Sequence, residues 1–229
     1  EKSRRRSGKR RTITYFYSTR KGEKMLPNLE KHLKKFVSKS KDTLILQGVH
    51  YAKDGSIIAT DNYRAIRVRN AHSMPSATTL HIKTGLPIQG EYPNVSKIID
   101  SVKGGFRVTL NRNEIEKATL AAQVTDAAAT KINKKFPTLQ MDIKNGVATL
   151  DIKEDIDIHV RLSAHFCNVT DAKKEFKVSL NSTFLADVMN VLNDYEKSVD
   201  IIFGKTSTDP ILFTGNMIDV LILPIRTPS

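Results

Sequence analysis

The chain has 229 residues and a mass of 25.7 kDa, enough for one large domain or two small ones with a real core. Hydrophobic residues make up 39% and charged residues 27%, the balance of an ordinary soluble protein, and no run of about 18 apolar residues is present to span a membrane. The single Cys167 excludes an intrachain disulfide framework and fits a reducing, cytoplasmic compartment, where the sequons at Asn94, Asn168 and Asn181 are chance matches. The net charge of +13 is lopsided: residues 1–105 hold 22 Lys and Arg against 8 Asp and Glu, and residues 106–229 hold 15 against 16. Such asymmetry points to a polyanionic partner, nucleic acid before an anionic membrane.

Residues 1–24 are read as a basic arm followed by a first strand. "EKSRRRSGKRR" contains no apolar residue, whereas "TITYFYST" (Thr12 to Thr19) is β-branched and aromatic. A helix is predicted over residues 27–39, with Leu29, Leu33, Phe36 and Val37 on one face and Lys31, Lys34, Lys35 and Lys39 on the other. "DTLILQGVHYAKDGSIIATDNYRAIRVRN" is a run of strands, with Asp54-Gly55 as a tight turn. Gly104-Gly105 is read as a boundary, dividing a segment at 25–104 from one at 105–229.

The second segment opens with a strand and an Asn111 N-cap followed by Glu114. A helix carrying Ile115, Ala118, Leu120 and Ala122 comes next. Two strands flank the Asn145-Gly146 turn, and "DIHVRLSAHF" makes a third. The opening pattern then returns as a strand, Asn181 as N-cap and a helix with Phe184, Leu185, Val188, Val191 and Leu192. Val108-x-Leu110-Asn111 and Val178-x-Leu180-Asn181 lie 70 residues apart, which defines a repeated strand–helix–strands unit. Strand 12–19, helix 27–39 and strands 43–69 read as one more copy. The chain closes with the strands "VDIIFG", "PILFTG" and "DVLILPIR", where Pro224 is confined to a strand end or edge.

Catalytic patterns are weak. "FGKTS" lacks the first Gly of a phosphate-binding loop, which falls at Val199. The six His are scattered, Cys167 has no neighbouring Cys, and neither a metal nor another cofactor is expected. Asp61 and Arg64 have the types of an acid and its activator, but no second carboxylate or nucleophile accompanies them. The chain reads as a binding protein rather than an enzyme. The basic helix face and arm suit phosphate contact rather than base readout.

Four segments resemble the bacterial DNA sliding clamp, the β subunit of DNA polymerase III, and its phage relatives. They are "LILQGVHYAKDGSIIATDNYRAIRV", "GEYPNVSKII", the pair "VTLNRNEIEKATLAA" and "VSLNSTFLADVMNVL", and "VLILPIR". The resemblance covers most of residues 25–229 in the family's order. It implies an α+β clamp fold of repeated βαβββ units, with helices lining a ring and sheets outside. It also implies a homo-oligomeric ring around double-stranded DNA, no chemistry of its own, and a pocket for short peptides of the polymerase and clamp loader. By motif position that pocket is Thr60, Asn62, Tyr63, Arg64 and Ala65 with Leu221, Leu223, Pro224 and Ile225, Arg64 and Tyr63 facing the peptide. DNA-facing residues are Lys31, Lys34, Lys35, Arg112 and Lys117, with Arg4, Arg5, Arg6, Lys9, Arg10 and Arg11 of the arm.

The chain departs from the family pattern in several places. It has room for about two domains instead of three, and only some twenty residues separate "RAIRVRN" from "GEYPN", so the first domain reads as abbreviated. Asp100 stands where the family commonly has Pro, and Ala65 replaces a larger apolar residue. The competing reading is a non-encircling regulatory protein that uses a clamp-like scaffold to bind peptides and its arm to sit on nucleic acid.

Overall fold

The computed structural model describes residues 26–102, 104–154, 160–170 and 175–226. The basic arm and the strand expected at 12–19 lie outside the described residues. Helix α1 is Leu29–Phe36, shorter than its sequence pattern; Val37 is extended, and a 3-10 turn at Leu44–Gln47 leads into the strands. Three strands follow: β1 (Gly48–Tyr51), β2 (Ile57–Thr60) and β3 (Arg64–Val68). Gly55 at φ 84° supplies the left-handed turn between β1 and β2.

Two elements were not expected from the sequence. They are β4 (Thr78–His81) and α2 (Val95–Ser101), the latter capped by the Asn94 side chain accepting from Lys97 N. The second half of the molecule opens with β5 (Phe106–Asn111), α3 (Arg112–Ile132), β6 (Thr138–Lys144), β7 (Val147–Glu154) and β8 (Val160–Asn168). It then repeats as β9 (Phe176–Asn181), α4 (Ser182–Tyr195), β10 (Ser198–Phe203), β11 (Ile211–Thr214) and β12 (Ile218–Ile222).

The expected caps form. Asn111 accepts from Glu114 N at 3.1 Å while Glu114 Oε2 accepts from Asn111 N at 2.8 Å, a reciprocal capping box. Asn181 accepts from Phe184 N at 3.1 Å. One helix assignment differs: Ile115, Ala118 and Ala122 are buried, but Leu120 is 62% exposed. Positions 115, 118 and 122 fall on one helical stripe, and 120 points away from it.

The strands form two antiparallel sheets, ordered β4-β1-β2-β3-β12-β11-β10-β5 and β8-β7-β6-β9. Three α–βββ units are thereby visible: α1 with β1–β3, α3 with β6–β8, and α4 with β10–β12. The first strand of each meander pairs with a strand from elsewhere: β1 with β4, β6 with β9, and β10 with β5. β4 thus holds beside β1 the place that β5 holds beside β10, but among the described residues it is followed by the short α2 and no meander, whereas β5 is followed by α3 and β6–β8. Among the described residues the first half holds one α–βββ unit, β4 and α2.

The long sheet passes through the β3–β12 pairing, with Ala65 opposite Leu221 and Ile66 opposite Val220, and so contains strands from both sides of Gly104-Gly105. The glycine pair runs close against the end of β10, where a Cβ on Gly105 would stand 2.7 Å from the Gly204 carbonyl.

Helices α1, α4 and α3 cover one face of the sheets. Ile57, Ala59, Ile66, Val68, Val220 and Ile222 point into that core. The intervening Ile58, Ala65, Leu212 and Leu221 point the other way, into a smaller cluster with Leu46, Tyr92, Val95 and Ile99 that α2 roofs. Cover on both faces explains why β2 and β12 are buried at every position, whereas β6 and β10 alternate.

Two buried carboxylates fasten the seam. Asp219, 1% exposed, accepts from Arg67 Nε at 2.8 Å, Arg69 Nε at 3.0 Å and Thr214 Oγ1 at 2.6 Å. Glu196 accepts the backbone N–H groups of Asn216, Met217 and Ile218 at 2.8 to 2.9 Å, holding the turn that enters β12.

Candidate functional site

The β2–β3 turn is built by its own side chains. Asp61 Oδ1 accepts from Tyr63 N and Arg64 N, each at 3.0 Å. Thr60 Oγ1 donates to the Arg64 carbonyl at 2.8 Å and accepts from Asn62 N at 3.2 Å. Asn62 takes a left-handed φ of 75°, which Asn tolerates well. The end of β12 is tied to this turn through Leu223 N, which donates to the Tyr63 carbonyl at 2.9 Å.

Where turn, β12 and α2 meet lies a cavity of about 120 Å³, roughly the space of one aliphatic or small aromatic side chain. Thr60, Asn62, Tyr63, Arg64, Ala65, Leu221 and Leu223 line it. Seven of the nine residues expected from the sequence are therefore brought together. Pro224 and Ile225 do not line it: Ile225 N donates to Ser179 O at 2.8 Å, and its side chain borders a separate, more polar hollow with Gln140, Lys177, Val178, Ser207 and Thr208.

Pro93, Val95 and Ile98 complete the apolar wall. Sequence reasoning missed them, although an Asn cap followed by apolar Val95, Ile98 and Ile99 is a helix signal. Val95 and Ile99 anchor α2, leaving Ile98 half-exposed over the cavity. The helix is held further by the Asp100–Arg67 ion pair at 2.9 Å. Below Thr60, Tyr92 Oη accepts from Thr60 N at 3.1 Å, and burial pushes this phenol well above its ordinary pKa, so it stays neutral.

Tyr63 is 63% exposed at the rim, but Arg64 is only 6% exposed and its guanidinium does not face the opening. It turns inward, where Nε donates to Asp61 Oδ2 at 3.1 Å and Nη1 to Asp187 Oδ2 at 2.8 Å. Nη2 donates to the Lys35 carbonyl at the end of α1. The guanidinium also lies over the rings of Phe36 and Phe184, at 4.9 and 4.1 Å. The reason is Asp187: a buried carboxylate on α4 needs cationic partners, and Arg64 and Lys35 are within reach. Asp61 and Arg64 form the frame of a turn and of a helix contact, with Arg64 bridging Asp61 to the second carboxylate, Asp187.

The helix layer differs from a uniformly basic face. Lys35 Nζ lies 2.5 Å from Asp187 Oδ1, Lys34 pairs with Glu30 and Arg112 with Glu116. Lys31 and Lys117 are exposed, with no ion pair among the described residues. Helix α4 contains Asp187 and Asp194 and no Lys or Arg. Together α1, α3 and α4 hold six basic and six acidic side chains. The middle of α3 exposes Leu120 and Val124. Arg4, Arg5, Arg6, Lys9, Arg10 and Arg11 lie outside the described residues.

No group of three or more His, Cys, Asp or Glu suited to a metal occurs among the described residues, nor does any helix long and apolar enough to cross a membrane. Cys167 is buried and its thiol is pushed up to about 12, chiefly by burial and secondarily by Glu114, which leaves it protonated and unreactive at neutral pH.

Antiparallel sheets on one side and the helices of repeated βαβββ units on the other define a sliding-clamp architecture. The DNA polymerase sliding clamp of Bacillus subtilis superposes with a TM-score of 0.72 at 16% identity, over 89% of this chain and 62% of that one. The beta sliding clamp of C. crescentus gives 0.69 at 15% identity, over 85% and 62%. The Helicobacter pylori beta clamp bound to a DNA ligase peptide gives 0.63 at 16% identity, over 86% and 62%. The chain thus has the sliding-clamp fold and spans about three fifths of the length of these structures. No protein-family model and no curated protein matches the sequence.

Proposed function

We propose that this protein is a non-enzymatic docking factor of the sliding-clamp kind, which captures short peptides of replication proteins and holds them at double-stranded DNA. The observation that carries the reading is the cavity at the β3–β12 seam, apolar and framed by backbone-fixed polar groups, a combination suited to an extended peptide with one apolar anchor. It lies in a fold shared with a clamp bound to a DNA ligase peptide. The polymerase and clamp loader are the partner class, and a homo-oligomeric ring is the assembly through which such a protein would stay on DNA. The division at Gly104-Gly105 into a shortened clamp unit and a complete one belongs to the same proposal, as does a phage origin.

A labelled DNA ligase peptide of the kind bound to the H. pylori clamp tests the pocket by fluorescence polarisation. Tyr63→Ala with Leu223→Ala removes one rim side chain and one wall, and should weaken binding at least tenfold. Unchanged binding would show that the cavity is not the docking site. Encirclement is tested on circular duplex: a ring survives a high-salt wash and slides off after linearisation, whereas a phosphate binder is lost to salt in both cases.

The balanced charge of the helix layer favours a second reading, a non-encircling regulator on the same scaffold. A strictly monomeric state by light scattering at micromolar concentration would select it.

A further inference from the structure

We propose that the turn leaving α3, Lys131 to Phe136, is a contact site for single-stranded nucleic acid, in which Phe136 stacks on an unpaired base and Lys131, Lys134 and Lys135 meet the flanking phosphates. The site goes beyond the peptide capture and duplex tethering proposed above and depends on neither. Its shape is set locally. Asn133 caps the C-terminal end of α3, and its Oδ1 accepts from Lys135 N at 3.2 Å and Phe136 N at 2.9 Å. The Phe136 carbonyl accepts from Thr138 Oγ1 at 3.1 Å, and the Pro137 carbonyl accepts from Ser182 N at 2.9 Å where α4 begins. Pro137 is buried and disfavours helical backbone at Phe136, so the chain leaves the helix here in one direction. The backbone under Phe136 is thereby held on both sides. Its ring is nevertheless 62% exposed and belongs to neither apolar cluster of the described residues.

A single exposed Phe is ordinary on a protein surface; the charges around this one are not. From Ala127 to Met141, fifteen residues hold Lys131, Lys134 and Lys135 and no Asp or Glu. Residues 106–229 carry 15 Lys and Arg against 16 Asp and Glu, so without these three lysines the balance there is 12 against 16. All three are exposed and have no ion pair among the described residues. Asp126, the first carboxylate back along α3, is engaged by the hydroxyls of Thr130, Ser182 and Thr183 at 2.8 to 3.2 Å. The negative end of the α3 dipole accounts for Lys131 in its last turn, but Lys134 and Lys135 lie beyond the cap. Lys135 Nζ stands 5.2 Å from the centre of the Phe136 ring, which puts a cation and an aromatic face side by side. That pairing suits a nucleotide: the ring stacks on any base, and the ammonium meets the phosphate beside it. Only an unpaired base offers its face, so the ring distinguishes a single strand from a duplex. One exposed aromatic side chain is little apolar surface to sink into a bilayer, which sets nucleic acid ahead of an anionic membrane.

The full chain has no Trp, so Phe136→Trp places a lone indole reporter at the site. Adding an oligothymidylate of about 16 nucleotides should quench its emission to saturation, because a base stacks on it. Oligouridylate run in parallel tells DNA from RNA, and quenching by either supports the site. In anisotropy with the labelled oligonucleotide, Phe136→Ala should weaken binding by about fivefold or more, whereas Phe136→Tyr should keep it. With Lys131, Lys134 and Lys135 all replaced by Gln, the slope of log K against log salt should fall by about 2, at about 0.7 per phosphate contact on a single strand. Unchanged indole emission with an oligonucleotide that anisotropy shows to be bound overturns the inference, because the strand then lies elsewhere. Equal quenching by a blunt duplex of the same length overturns it too, and a response to phosphatidylserine vesicles alone makes the turn a membrane contact instead. None of these variants touches the cavity at the β3–β12 seam, so peptide binding and retention on circular duplex measure the clamp reading separately.

Discussion

Arg64 is where chemistry and architecture meet. Its guanidinium joins the β2–β3 turn, the carboxylate of α4 and the end of α1, so one side chain sets the cavity wall and fastens two helices to the sheet. Arg64→Met would leave the buried Asp187 with Lys35 alone, and a loss of about 3 kcal/mol in urea unfolding is expected. Replacing Asp187 with Leu in the same variant should recover part of that loss, because the isolated charge disappears. His50 offers a pH readout. Its ring stacks on Tyr92 at 4.9 Å, and burial, then the nearby His72, lowers its pKa against a smaller opposing effect of Asp54. The folded state thus prefers the neutral ring. Its contribution is complete above about pH 6.5 and declines as pH falls toward and through the lowered folded value. Urea midpoints taken from pH 7.5 to 5.5 should fall, and His50→Asn should flatten that part of the curve.

At the scale of elements, the repeated helices depend on their first turns. Asn111 and Glu114 satisfy each other's backbone donors, whereas Asn181 caps α4 alone. Asn111→Ala and Asn181→Ala should each cost about 1 kcal/mol in thermal unfolding, with Asn111 the larger because the box is reciprocal. Helix α2 shows what a short element can do by position. Seven residues could not hold a helix alone, but Val95 and Ile99 find a ready apolar surface in the outer face of the sheet. That docking delivers Pro93, Val95 and Ile98 to the cavity.

For the molecule as a whole, the β3–β12 pairing makes the two halves one sheet, and the main core runs beneath both. Unfolding should therefore be a single transition, coincident by circular dichroism and tyrosine fluorescence; two separated transitions would mean that the halves fold independently. The seam carries a buried carboxylate with two Arg, and removing it should weaken both halves together. The cavity also depends on the seam, since Ala65 and Leu221 face each other across it.

Much of this was legible in the sequence. Asparagine caps, apolar stripes at helical spacing and the recurrence of Val-x-Leu-Asn express local rules, in which a residue and its neighbours three or four positions away decide the outcome. They placed α3, α4 and most strands, while the pairing of the turn Thr60–Ala65 with Leu221 and Leu223 as walls of one pocket was what the family resemblance implied. Contacts between distant segments were not readable. Whether Arg64 turns toward a ligand or toward Asp187, 123 residues away, depends on which carboxylate burial leaves in need of a cation. Whether Leu120 is core or surface depends on which stripe of α3 meets the sheet. The places of β4 and α2 follow from surfaces that exist only once β1, β3 and β12 are paired. Composition alone located the excess positive charge in the first half of the chain; only the packed helices showed that Lys34, Lys35 and Arg112 are paired with carboxylates, because pairing is a property of space and not of sequence.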